Sequence, residues 1–155
     1  MTRFYFAALA AIMLTGFGGI PARAADTDSS ANQQVAGRWQ NEDATFEIYA
    51  ENGKLNGKIV ALRDPLTPDG KTKTDIHNPD ATKRDRPIIG LIFMTGFTPA
   101  GPNKWENGTI YDPKSGNSYS CSMELQAPDK LRLRGYVLVS LIGRTQVWTR
   151  VSGTR

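Results

Sequence analysis

Between Gly37 and Val151 the chain breaks into eight short β-type runs separated by Gly-, Asp- and Pro-rich turns. The runs are Val35 to Gln40, Ala44 to Ala50, Leu55 to Leu62, Ile88 to Phe97, Lys104 to Tyr111, Ser118 to Gln126, Leu131 to Val139 and Gly143 to Val151. Several alternate with period two. Ala44, Phe46, Ile48 and Ala50 share one face, and so do Tyr119, Cys121, Met123 and Leu125, opposite Ser118, Ser120, Ser122, Glu124 and Gln126. Such alternation belongs to half-buried antiparallel strands. Asn52-Gly53 marks a hairpin whose two central residues take positive φ. A sheet this long with so little helix must close on itself or pair with another sheet. The expected fold is therefore all-β: a single antiparallel up-and-down β-barrel of about eight strands.

The N-terminus reads as an export signal. Arg3 supplies a positive charge, Phe4 to Ile20 is uncharged and apolar or small, and Ala22-Arg23-Ala24 fits a small-x-small cleavage site. Residues 1–24 are expected to be a cleavable signal peptide and 25–34, small and polar, a mobile leader. The barrel domain then occupies 35–152. The apolar stretch is short for a membrane span and is broken by Gly16, Gly18, Gly19 and Pro21, so no span is expected in the mature form. Periplasmic localisation follows, with secretion as the variant. Arg3 and Arg23 leave with the signal, so the net charge of +4 falls to +2. That is no footprint for nucleic acid. Cys121 is the single cysteine, which excludes an intramolecular disulfide and leaves only a bridge between chains.

Residues 63–87 interrupt the strand rhythm with Pro65, Pro68, Pro79 and Pro87. A loop of this length in a compact domain is usually a lid or a binding loop. A short helix is expected inside it, with Asn78 as N-cap, Pro79 in the first turn and Asp80 near the positive helix end.

Gly37-Arg38-Trp39 opens the domain and Trp148-Thr149-Arg150 closes it. A Gly-x-Trp on the first strand with an Arg on the last resembles the arrangement of lipocalin-like barrels. In that arrangement Trp39 plugs one end and Arg150 (or Arg144) covers it, a guanidinium lying over an indole face. Further segments extend the likeness: Gly57-Lys58-Ile59, Asp75-Ile76-His77-Asn78-Pro79, Arg86-Pro87-Ile88-Ile89-Gly90-Leu91, Tyr111-Asp112-Pro113-Lys114-Ser115-Gly116, Leu131-Arg132-Leu133-Arg134-Gly135-Tyr136 and Gly143-Arg144-Thr145-Gln146-Val147-Trp148-Thr149-Arg150. In this order they resemble a family of uncharacterised exported bacterial proteins, classed as a domain of unknown function. The resemblance spans the mature domain and implies a lipocalin- or calycin-like barrel, without an established activity. Leu138 departs from it, standing where a small residue is expected.

The candidate cavity residues are Tyr119, Met123, Trp148, Gln146 and Arg144, with Asp75 and Asn78 at the mouth and Gly37, Trp39 and Arg150 closing the other end. If the last hairpin turns between Ser140 and Leu141, Leu133 faces Trp148, Gly135 faces Gln146 and Val137 faces Arg144. A slip of one residue would send these side chains outward and bring Thr145 and Val147 in. The expected ligand is a small hydrophobic or amphipathic molecule oriented by Gln146 and Arg144. Eight strands can also be filled by side chains alone. The domain would then be an interaction module of the cell envelope, acting through loops or a strand edge, as a monomer or weak dimer. No cofactor is expected. An enzyme ranks third, because its only base–nucleophile pair would be His77 with Cys121, and that cysteine reads as packing beside Met123. One His and one Cys cannot make a zinc site. Asp69, Asp75 and Asp80 do not have calcium-loop spacing.

Overall fold

The structure, a computed structural model, describes residues 23–137 and 140–152, the side chains of 23–28 and 136–144 excepted. Residues 1–22, which hold most of the expected signal peptide, and Leu138 lie outside the described residues. Helix α1 (Arg23–Val35) leads into β1 (Gly37–Gln40), β2 (Ala44–Glu51), β3 (Lys54–Leu62), β4 (Ile92–Pro99), β5 (Lys104–Asp112), β6 (Asn117–Ala127), β7 (Lys130–Val137) and β8 (Ser140–Arg150). The strands are ordered as in the sequence, each antiparallel to the next, and β8 returns to β1 to close the barrel.

The period-two rows face as the residue pattern requires. On β2, Phe46 and Ile48 are buried while Glu47 and Tyr49 are half-exposed. On β3, Leu55, Gly57 and Ile59 point inward. Gly57 is inward because Met94 lies over it: a Cβ there would meet the Met94 sulfur at 3.0 Å. Asn52 (φ 51°) and Gly53 (φ 76°) form the expected tight turn. At Gly90, where φ is +94°, the backbone leaves strand geometry. The run expected from Ile88 therefore starts as a strand only at Ile92, although Ile88 and Leu91 are still buried.

Two other expectations change. Residues 25–34 belong to α1 rather than to a mobile leader. Helical periodicity is faint there, and what holds the helix is docking: Val35 is fully buried, and Asn32 is buried between Trp105 and the β2–β3 turn. The last hairpin pairs Leu133 with Gln146 and Gly135 with Arg144, two residues from the expected register, and Val137 with Ser140, four residues from it. A shift of two keeps every side chain on its face. The irregularity between Gly135 and Val137 adds the further two residues.

Candidate functional site

At one end, which we term the lower, the barrel is sealed. Trp39 is fully buried and the Arg150 guanidinium lies 4.2 Å from its ring centre. Arg150 also donates to the carbonyls of Pro128 (2.6 Å), Gln34 (2.6 Å) and Ala36 (3.0 Å). The latter two are at the C-terminus of α1, where carbonyls lack helical partners. Gly37 permits this approach. Its φ is +123°, and a Cβ would stand 3.2 Å from an Arg150 nitrogen. The indole of Trp39 donates to Val35 O (2.8 Å), and that of Trp105 to Asn32 Oδ1 (2.9 Å).

The middle of the barrel is filled by aromatic rings. Phe46 stacks on Trp148 with centroids 4.1 Å apart and planes 19° apart, and Phe93 lies 5.0 Å from Phe46. Met94, Phe97, Met123, Leu131 and Leu133 complete this layer, all buried.

Above it the inner rows open. On β8, Trp148 is buried but Gln146 is exposed. On β6, Met123 and Cys121 are buried but Tyr119 is only half-buried. Between these strands β7 presents Gly135, with no side chain, and a Cβ there would meet Tyr119 at 3.9 Å. Gln146 Oε1 accepts from the Trp148 indole (3.0 Å) and from Asn41 Nδ2 (3.4 Å), so it ties the ring to the β1–β2 turn. The ladder pairs Arg144 with Gly135, which puts its Cα in the same row as Gln146 and Trp148; its side chain lies outside the described residues. Sequence reasoning thus named residues that share one inner surface, but it missed the packing of Phe46 and Phe93 against Trp148. Phe46 was visible as an inward residue, yet nothing in its spacing indicated a ring partner two strands away on β4.

The long loop from β3 to β4 packs at this upper end. Asp75, fully buried, accepts from the Tyr111 hydroxyl (2.6 Å), from Asn78 Nδ2 (2.7 Å), and from Arg86 Nε and its terminal nitrogen (2.9 and 2.8 Å). Burial pushes the Asp75 carboxyl up, but these hydrogen bonds and the Arg86 charge together hold it below its ordinary value. Burial and the hydrogen bond to Asp75 raise Tyr111. The backbone of His77 presses against Gly116 so closely that no Cβ could stand there. Asp75 and Asn78 therefore bind each other and the barrel instead of facing the mouth. The helix is a single 3₁₀ turn, Ala81–Lys83, capped by Asp80. Asn78, the expected cap, is buried and accepts from Asp80 N (2.9 Å). A further link, Lys114 to Asp43 (2.7 Å), joins the β5–β6 turn to the β1–β2 turn.

His77 is exposed in the loop, whereas Cys121 is buried and its thiol is pushed up to about 12 by burial. At neutral pH that sulfur is a protonated packing group. Among the described residues no set of three or more His, Cys, Asp or Glu side chains is placed to hold a metal ion. Nor is any described helix long and apolar enough to cross a membrane.

The sequence pattern of a family described as uncharacterized proteins conserved in bacteria, DUF2147, matches residues 37–150, from the glycine beside Arg150 to Arg150 itself. The chain belongs to this family. The DUF2147 match begins at β1 and ends with β8, so it coincides with the closed barrel. No curated protein matches the chain. Among solved structures it is similar to Helicobacter pylori protein HP1028, which is described as belonging to the lipocalin family. The TM-score is 0.64 at 22% identity, over 74% of this chain and 80% of that one. This DUF2147 barrel is thus lipocalin-like in fold.

Proposed function

We propose that this DUF2147 protein is an exported bacterial envelope protein that carries a small, partly apolar molecule in the upper part of its barrel. The observation that carries this reading is the change along the inner rows: buried Met123 and Trp148 give way to half-buried Tyr119 and exposed Gln146, with Gly135 leaving space between them. Trp148 and Met123 would form an apolar floor, Tyr119 a wall, and the Gln146 amide a polar handle. Arg144 would add a cation at the entrance. Such a site suits a molecule with an apolar body and one polar or anionic end. The lipocalin-like neighbour supports the reading at the level of fold. Export rests on the signal-like residues 1–24.

Native mass spectrometry of the protein purified from its host's envelope tests this directly. The expected spectrum shows a non-covalent small-molecule adduct that disappears in Gln146→Trp, whose larger side chain fills the opening. Tryptophan emission should also respond to titration with fatty acids or lysophospholipids, since Trp148 is the floor. A bare spectrum, with no change in emission or melting temperature across lipids and aromatic metabolites, overturns the reading. N-terminal sequencing of the envelope fraction should begin at Ala25.

A second reading has its own observation. The Phe46–Trp148–Phe93 stack occupies the middle of the barrel, so ligand space is confined to the upper part. A protein that failed the ligand test would be an interaction module whose barrel is a rigid scaffold for its loops.

A further inference from the structure

The barrel is closed unequally. Strand β8 has eleven residues and β1 only four. On the β7 side β8 is paired from Ser140 to Thr149. On the β1 side only two residue pairs hold it, Trp39 with Arg150 and Gln40 with Thr149. Above them β1 turns away at Asn41, and among the described residues no strand pairs with the outer edge of Thr145, Gln146 or Val147. The Asn41 side chain reaches Gln146 there, but a side-chain amide cannot continue a backbone ladder. An edge left this way presents unpaired N–H and C=O groups, and proteins usually blunt it with lysine, proline or a bulge. This edge holds none of them: the stretch reads Thr145-Gln146-Val147-Trp148, and Val147 is 46% exposed.

We infer that the upper edge of β8 pairs antiparallel with the same edge of a second copy of this chain, about a two-fold axis. This goes beyond the ligand-binding reading and does not depend on it. The charge pattern selects a second copy. The exposed outer row of the unpaired stretch of β8 is Thr145 and Val147, both neutral. Across a two-fold axis that row meets itself, and no like charges are opposed. Outer rows elsewhere carry charges already matched within the sheet, Glu47 with Lys58 and Glu124 with Arg132. β-Branched residues facing one another across the new ladder are favourable pairs. The joined edge is short, so the interface falls at the small end of specific ones and association is weak and concentration-dependent.

Sedimentation equilibrium of the purified protein over a wide concentration range reads the outcome. The expected mass rises from one chain toward two as concentration increases. Val147→Lys, at an exposed site that the core does not use, should hold the mass at one chain with an unchanged far-ultraviolet spectrum. Thr145→Lys should do the same, guarding against an idiosyncratic effect at one position. Thr149→Lys places the same charge where β8 is already paired with β1, and should leave the dimer intact. A single-chain mass at every concentration overturns the inference, even if the edge then captures an extended peptide from another protein. So does a dimer that survives both Val147→Lys and Thr145→Lys, or one that Thr149→Lys destroys equally.

Discussion

Gly37 shows how one missing methyl group sets the lower closure. Its positive φ and an Arg150 nitrogen only 3.2 Å from where a Cβ would stand mean that Gly37→Ala strains the backbone and pushes Arg150 aside. A loss of about 1–3 kcal/mol is expected, read as a lower urea midpoint at unchanged slope. Arg150→Met keeps much of the stem but gives up the ring contact and three carbonyl partners, at a cost of about 2–4 kcal/mol. Asp75 is the corresponding residue at the upper end. Asp75→Asn retains the shape but leaves Arg86 without its charge partner, and because Arg86 is partly exposed the expected loss is about 2–3 kcal/mol. The same carboxylate sets a pH dependence. Its folded pKa lies below the ordinary 3.8, so the unfolded chain takes up the proton first as the solution is acidified. Its contribution is complete well above 3.8 and is lost as pH falls past that value toward the lower folded pKa. The gap in urea midpoint between wild type and Asp75→Asn should therefore narrow between pH 5 and strongly acid solution; a constant gap would show that the charge contributes nothing.

Among the elements, the strands were legible in the sequence and the connections only in part. Period-two rows on β2 and β6 identified the inward residues because one face of each strand is buried. The Asn52-Gly53 turn was legible because its φ requirement selects those residue types. Helix α1 was not, since its hold on the barrel comes from Asn32 and Val35 meeting residues distant in sequence. The 63–87 segment was recognised as special, but not as a structure locked by one buried carboxylate. Tyr119, Met123, Gln146 and Trp148 could be read as a shared inner surface, whereas their different exposures could not, because depth along a barrel leaves no mark in alternation. Tyr111→Phe tests the loop as an element. It deletes the hydroxyl that donates to Asp75, and amide exchange should quicken across 63–91 while β6 and β7 keep their protection. Equal exchange in both proteins would mean that the loop is held by something else.

For the whole molecule, the buried cysteine reports on cooperativity. With its thiol raised to about 12 inside the barrel, Cys121 should react with a thiol reagent at pH 8 only as fast as the barrel opens. A rate that rises with urea in step with loss of tryptophan signal is expected. Fast labelling without unfolding would place the thiol at the surface. The arrangement of the lower closure has a consequence for the order in which the molecule is made. Arg150 clasps carbonyls 114 and 116 residues earlier in the chain, so the fastening that shuts the wall belongs to the last-made strand of the barrel. Seven strands can associate hairpin by hairpin as they emerge, but the ring stays gaping until Arg150 arrives. A nascent chain stalled short of residue 150 should remain sensitive to protease, and its release should be the moment at which the barrel's first and eighth strands meet.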